Sequence, residues 1–141
     1  MRKTREENDT DLLLFGGKAV RLPLAEAMRV MLVFTYGALK EFPRYEKNGL
    51  ALEIRTVTWQ IHKQILSARR FERFMKTPSS IKAQCARLER LCIDLEALKL
   101  QVRVATDRGY ITLDVYAEWA GHLVGIGSQL GGWLNSAYDK R

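Results

Sequence analysis

The stretch GIGSQLGGWLNS, Gly125–Ser136, determines how the whole chain is interpreted, because its four glycines are compatible with either a nucleotide-binding loop or a helix. A dinucleotide-binding loop needs its third glycine where this chain has Leu130, and a phosphate-binding loop needs a Gly-Lys-Ser/Thr ending that is absent here. Such loops also follow a buried strand, whereas the preceding residues, DVYAEWAGHLV, have helical spacing. The stretch is therefore predicted to continue an amphipathic helix.

The two faces of this predicted helix differ in character. At about 100° per residue, the core face carries Val115, Trp119, Leu123, Ile126, Leu130, Trp133 and Ala137. The opposite face carries small residues, and no Asp, Glu, Lys or Arg occurs between Trp119 and Tyr138. Each glycine inside a helix costs about 1 kcal/mol relative to alanine, so close packing must restore that stability. We predict an oligomer interface at Gly121, Gly125, Ser128 and Gly132.

Two alternatives to a subunit interface exist for these glycines. The glycines could instead allow a neighbouring helix of the same bundle to approach closely. The Gly-x-x-x-Gly spacing is also found in pairs of membrane-spanning helices, but polar residues interrupt the apolar run here. We therefore expect no membrane association.

Three further helices are predicted upstream from apolar spacing and from proline positions. The first runs from about Pro23 to Phe42, and the second begins between Pro43 and Gly49 and ends near Met75. The third has Thr77 as N-cap and ends near Thr106, and the fourth begins at Thr112 or Asp114. Short connections between four long helices predict an all-α, antiparallel up-and-down four-helix bundle over residues 22–141. Residues 1–21 mix charges with Gly-Gly and are predicted to be loosely ordered.

The net charge of +7 is concentrated in one segment. Residues 44–76 contain eight basic and three acidic side chains, and a basic and aromatic stripe of the second helix includes Trp59 and His62. Such a surface suits phosphate contacts with stacking support, and a solvated helix face is the alternative. The candidate residues for binding nucleic acid or an acidic partner are Arg44, Lys47, Arg55, Lys63, Arg69, Arg70, Arg73, Lys76 and, on the third helix, Arg103.

Catalysis and metal binding have little support in the sequence. His62 and His122 fall on different helices, and neither accompanies an acidic cluster at ligand spacing. Cys85 and Cys92 lie seven residues apart on one apolar helix face, which is typical of core thiols in a reducing compartment. We expect no catalytic residues, no metal and no cofactor. Because the N-terminus is charged and its apolar run is short, we expect a cytoplasmic protein without a signal peptide.

Three stretches of the chain resemble one family. IGSQLGGWLNS, Ile126–Ser136, resembles the Ile-Gly-Arg-x-Leu-Gly-Gly-Trp ending of the accessory variability determinant (Avd) proteins of diversity-generating retroelements, with Ser128 at the arginine position. KEFPRYEKNGLALEIR, Lys40–Arg55, is similar to that family's Phe-Pro break and basic helix start. LQVRVATDRGYIT, Leu100–Thr112, resembles its Arg-x-Ala end of the third helix. The family belongs to a wider group of four-helix bundles that includes the proteins encoded by ribosomal-RNA intervening sequences.

The resemblance implies a non-catalytic accessory protein. Such a protein would assemble into a barrel-shaped homopentamer, bind template RNA or its cDNA, and associate with the element's reverse transcriptase to support mutagenic retrohoming. An intervening-sequence-type bundle that binds nucleic acid without a reverse transcriptase is the alternative implied by the wider group. A purely structural bundle or protein-binding adaptor remains a third possibility, in which the charge only maintains solubility.

Overall fold

The computed structural model describes residues 12–15 and 18–141 of the 141-residue chain. Within these residues lie two short strands, β1 (Leu12–Phe15) and β2 (Lys18–Arg21), and four helices, α1 (Leu24–Leu39), α2 (Leu50–Glu72), α3 (Pro78–Asp107) and α4 (Leu113–Asp139). A single 3-10 turn, Arg44–Glu46, lies between α1 and α2. The four predicted helices are confirmed, with ends close to the predicted positions.

The helix boundaries follow from local chemistry. The Thr77 side chain accepts a hydrogen bond from the Ser80 amide, and the Ser80 side chain accepts one from the Thr77 amide. This capping box begins α3, with Pro78 at its first position. The Thr112 side chain caps α4 in the same way, through the Val115 amide. Thr77 is confirmed as the N-cap of α3, and of the two starts predicted for the fourth helix, Thr112 is the N-cap.

The third helix ends at a glycine that has a positive φ. Gly109 has φ +76°, which places it in the left-handed region where a side chain would be strained. The Gly109 amide donates to the Thr106 carbonyl and the Tyr110 amide donates to the Ala105 carbonyl, which is the Schellman arrangement. This turn places Tyr110 and Ile111, both buried, at one end of the core.

The helices form an antiparallel bundle in which each helix packs against its neighbours in sequence and α1 closes the arrangement against α4. Side-chain contacts show the antiparallel directions: Gln64 donates to Asp94 and Arg87 donates to Ser67, so residue numbers rise on α2 as they fall on α3. The core is mainly apolar, and its largest fully buried side chains include Trp119, Met28 and Met31. Among the described residues, Thr35, Thr58 and Gln84 are the buried polar side chains.

The strands β1 and β2 form an antiparallel hairpin that the sequence analysis does not predict, with Leu12 opposite Arg21 and Phe15 opposite Lys18. In the sequence, Gly16-Gly17 is a dipeptide typical of a two-residue hairpin connection, and it is the signal that could have suggested the strands. The prediction of a loosely ordered segment falls partly on residues 1–11, 16 and 17, which lie outside the described residues.

Candidate nucleic-acid interface

The predicted basic residues of the second helix lie on the side of α2 that faces away from the core. The α2 core seam of Ile54, Ile61, Ile65 and Ala68 is fully buried. On the outer side Lys63, Arg69, Arg70 and Arg73 are exposed, and Arg55 is half-buried at the edge. Because α2 has 23 residues, the helix is about 33 Å long, and its basic residues form an extended strip rather than a compact pocket.

One end of the strip is a groove between α1 and α2 of about 410 Å³. Four of the side chains that line it are cationic: Lys40, Arg44, Lys47 and Arg55. The remaining lining residues are Tyr36, Leu39, Phe42, Pro43 and Ala51. The structure therefore brings three of the predicted residues together and adds Lys40, which the sequence analysis missed because it lies on the preceding helix segment.

The other end of the strip is a cluster of exposed cations at the end of α2, namely Arg69, Arg70, Arg73 and Lys76. Arg69 and Arg70 lie in the last turn of the helix, where cations also stabilise the helix dipole. Their position therefore has a structural explanation beside a binding one. Arg103 is separate from both ends, since it lines a different groove, between α3 and α4, with Lys99 and Glu96.

Two of the three acidic side chains within the basic segment, Glu46 and Glu72, accept hydrogen bonds from neutral donors. Tyr110 donates its hydroxyl hydrogen to Glu46 Oε2 at 2.8 Å, and the Trp133 indole N–H donates to Glu72 Oε1 at 3.0 Å. In the part of the chain that the structure describes, the ion pairs are Glu26–Arg29 and Glu96–Lys99. The nine predicted basic residues therefore form no ion pair with another described side chain, and their charge stays available to an external anion.

The Glu46 contact also supports the floor of the groove. The Tyr110 ring lies 5.4 Å from the Phe42 ring, and the Tyr110 hydroxyl lies 3.3 Å from that of Tyr45. Hydrogen bonding with Tyr45 is the largest cause that raises the pKa of Tyr110, and the Glu46 carboxylate raises it further. The turn after α3 thus fixes the position of the connection that carries Arg44 and Lys47.

An aromatic cluster borders the groove. The Trp59 indole N–H donates to the Tyr36 hydroxyl at 2.9 Å, and the His62 ring lies edge-on to Trp59 at 5.8 Å. Tyr36 and Trp59 are 42% and 39% exposed, respectively. The basic and aromatic surface predicted on α2 therefore continues onto α1 through Tyr36. No role was predicted for Tyr36 from the sequence.

The predicted interface residues of α4 divide into two groups. Gly121 and Gly132 are exposed, and a Cβ at either position would meet nothing within 4 Å. Ser128 is half-buried. Gly125 is buried within the subunit, which corrects its assignment to the outer face.

The burial of Gly125 has a geometric reason. It lies between His122 and Gln129 on the side of α4 that faces α1, where His122 packs 5.1 Å from the Phe34 ring and Gln129 donates to the Leu22 carbonyl. At Gly127 a Cβ would lie 3.2 Å from Leu95 Cδ2 of α3. The alternative explanation, close approach of a neighbouring helix in the same bundle, therefore holds for Gly127, while Gly121 and Gly132 are left without an explanation inside the subunit.

The histidines and cysteines form no catalytic arrangement among the described residues. Burial lowers the pKa of His122, and burial is also the largest cause that raises the pKa of the half-buried Cys92 thiol, so neither is activated as a nucleophile or charged acid. Within residues 22–141, no three His, Cys, Asp or Glu side chains are grouped closely enough to hold a metal ion. None of the described helices combines the length and apolarity needed to cross a bilayer.

Comparison with known families identifies the chain. A family model described as bAvd-like matches residues 23–137, which include all four helices almost to the end of α4. The chain belongs to the bAvd-like family. The resemblance to the Avd proteins is therefore confirmed. Neither the curated proteins nor the solved structures include one that matches the chain.

Proposed function

We propose that this bAvd-like protein is a non-catalytic accessory subunit of a diversity-generating retroelement, acting in the cytoplasm. In this role it binds the template RNA or its cDNA, associates with the element's reverse transcriptase, and assembles into a homo-oligomer, which the family resemblance suggests is a pentamer. Membership of the family supports the accessory role. The observation that carries nucleic-acid binding is the strip of unpaired cations along α2 and its groove.

The charge arrangement favours a polyanion over a small acidic ligand. Cations at both ends of a helix about 33 Å long can contact several phosphates of one strand at once, and each contact releases condensed counterions. Since the Glu46 and Glu72 carboxylates already accept hydrogen bonds from Tyr110 and Trp133, they compete weakly for the arginines. Binding should therefore be strong at low salt and weaken steeply as salt increases.

The decisive experiment combines salt-dependent RNA binding with co-purification of the reverse transcriptase that is encoded beside the gene. In a variant with Arg55, Arg69, Arg70 and Arg73 changed to alanine, we expect weaker binding to every RNA sequence and a salt slope smaller by about one for each lost contact. A control variant removes the same charge elsewhere, at the exposed residues Lys82, Arg90, Lys140 and Arg141. The control should keep most of the RNA affinity if position on α2 matters more than net charge.

The outcomes separate the candidate functions. Loss of the reverse transcriptase complex with intact RNA binding would assign the α2 strip to the enzyme instead of to RNA. RNA binding without any co-purifying reverse transcriptase would favour the intervening-sequence-type alternative. Equal loss of affinity in both charge variants would show that the strip is only a solvated face.

A further inference from the structure

The Tyr36 and Trp59 rings form a fixed aromatic platform on the outside of the bundle. The indole N–H of Trp59 donates to the Tyr36 hydroxyl at 2.9 Å, which ties α2 to α1 and limits rotation of both rings. His62 is edge-on to Trp59, and its Nδ1 atom is buried without a hydrogen-bond partner. Both residues of the platform are nevertheless exposed. An exposed tryptophan held in one orientation is a rigid surface for stacking, since little conformational entropy is lost on contact.

The platform is continuous with the cationic groove. Tyr36 belongs to both, because it lines the groove together with Lys40, Arg44, Lys47 and Arg55. Arg55 lies one helical turn before Trp59 on α2, so the two side chains are neighbours on the helix surface. The groove has a volume of about 410 Å³, which lies within the range of small-molecule binding sites. The groove is therefore large enough for one nucleotide. Phosphate-binding and base-stacking groups therefore lie side by side.

This combination distinguishes between paired and unpaired nucleic acid. In a duplex the base faces are covered by stacking on each other, so a duplex can use the cations but cannot place a base on Trp59 or Tyr36. In a single strand the bases are free to stack on aromatic rings while the backbone follows the cations. We infer that the α1–α2 face is a binding site for unpaired nucleotides, with Trp59 and Tyr36 stacking on bases and the groove cations holding the adjacent phosphates. The inference rests on the proposed function and specifies the form of nucleic acid that this site selects.

The test compares the binding of an unstructured RNA of about 12 nucleotides with that of the same strand annealed to its complement. Wild-type protein should bind the single strand more tightly than the duplex at the same salt concentration. Trp59→Ala should weaken single-strand binding about 5- to 150-fold, the range for losing one base–aromatic stack, and leave duplex binding within twofold. The salt slope should stay unchanged because no phosphate contact is lost, whereas Arg55→Ala should reduce it by about one.

Two controls separate stacking from general loss of surface. Leu66→Ala removes an apolar side chain that is 48% exposed on the same helix, without a ring, and should leave both affinities unchanged. Trp59→Phe keeps a ring face and should retain most of the single-strand affinity. Single-stranded RNA should also quench tryptophan fluorescence in the wild type. This quenching should be much smaller in Trp59→Phe, because Trp119 is fully buried and Trp133 is half-buried.

The results that overturn the inference differ from those that overturn the proposed function. No RNA binding by the wild type at low salt would remove the proposed function and the inference together. Steep, salt-dependent RNA binding that is equal for single strand and duplex and unaffected by Trp59→Ala would leave the function in place and overturn the inference. A change in oligomer mass in Trp59→Ala, with unchanged RNA affinity per subunit, would also overturn it, because the platform would then be a protein contact.

Discussion

Substituting Gly132 tests whether the outer face of α4 is used in assembly. Gly132 lies inside the helix, is exposed, and a Cβ there would have no neighbour within 4 Å. Since glycine inside a helix costs about 0.8–1.0 kcal/mol relative to alanine, Gly132→Ala should stabilise the separated subunit by about 1 kcal/mol. For a chain of this size that corresponds to a rise in Tm of roughly 3 to 5 °C.

Leucine at the same position should have a second effect. Leucine is also a good helix former, so Gly132→Leu should keep the helical circular dichroism signal of the subunit. Its larger side chain would project from the face on which a second subunit is proposed to pack, and close approach of the two backbones would be blocked. We therefore expect Gly132→Leu to dissociate an assembly that the wild type forms, as measured by light scattering after size-exclusion chromatography at micromolar concentration.

Gly37 provides the matched control, because it lies inside α1 with nothing within 4 Å of an added Cβ. Gly37→Leu should keep the wild-type mass. Gly125→Leu is unsuitable as a probe of assembly, since Gly125 is buried in the subunit and leucine there would disturb the α1–α4 contact. The reasoning is refuted if the wild type is monomeric, or if Gly132→Leu retains the wild-type mass.

Three further predictions concern the subunit itself. Tyr110→Phe removes the hydroxyl that donates to Glu46 at 2.8 Å and should lower the free energy of unfolding measured by urea denaturation, and an unchanged value would contradict a stabilising role for this contact. Thr77→Ala removes the N-cap of α3 and should cost about 1 kcal/mol, whereas Thr77→Ser should restore most of it. Burial lowers the pKa of His122 below 6.5, so the unfolded chain binds the proton more readily; the free energy of unfolding should be at its full value above about pH 6.5 and fall as pH decreases toward the folded-state pKa. His122→Gln should reduce that decrease, and an unchanged pH profile in this variant would contradict the assignment.

The bundle could be predicted from the sequence because its signals are local. Pro23 and Pro43 bracket the first helix, and the N-caps Thr77 and Thr112 begin the last two, so each boundary depends on residues within one turn. The hairpin was missed because its two strands have only four residues each, and segments that short carry little periodicity.

The candidate site could be predicted only in its composition. The spacing of residues in the sequence gives their angular positions around α2, and the cations fall away from the core seam. Their exposure could therefore be predicted. The contacts that organise the site join residues far apart in the chain: Trp59 with Tyr36, Tyr110 with Glu46, and Trp133 with Glu72. These contacts depend on how the helices pack against each other. The burial of Gly125 depends on packing too, because neighbouring helices cover a wider sector of α4 than its apolar stripe alone.

The arrangement of the helices connects assembly to nucleic-acid binding. Each helix packs against its sequence neighbours and α1 packs against α4, so α2 and α4 occupy opposite corners of the bundle and meet at one end through the Trp133–Glu72 hydrogen bond. Assembly through α4 would therefore leave the basic strip of every subunit free, and a long RNA could bind several strips with a high effective concentration. Gly132→Leu should then weaken binding of a long RNA by about 100-fold or more while leaving an RNA of about 12 nucleotides bound as in the wild type. Equal loss for both lengths would show that the substitution damages the binding face itself, and that assembly and RNA binding are not separated on opposite sides of the bundle.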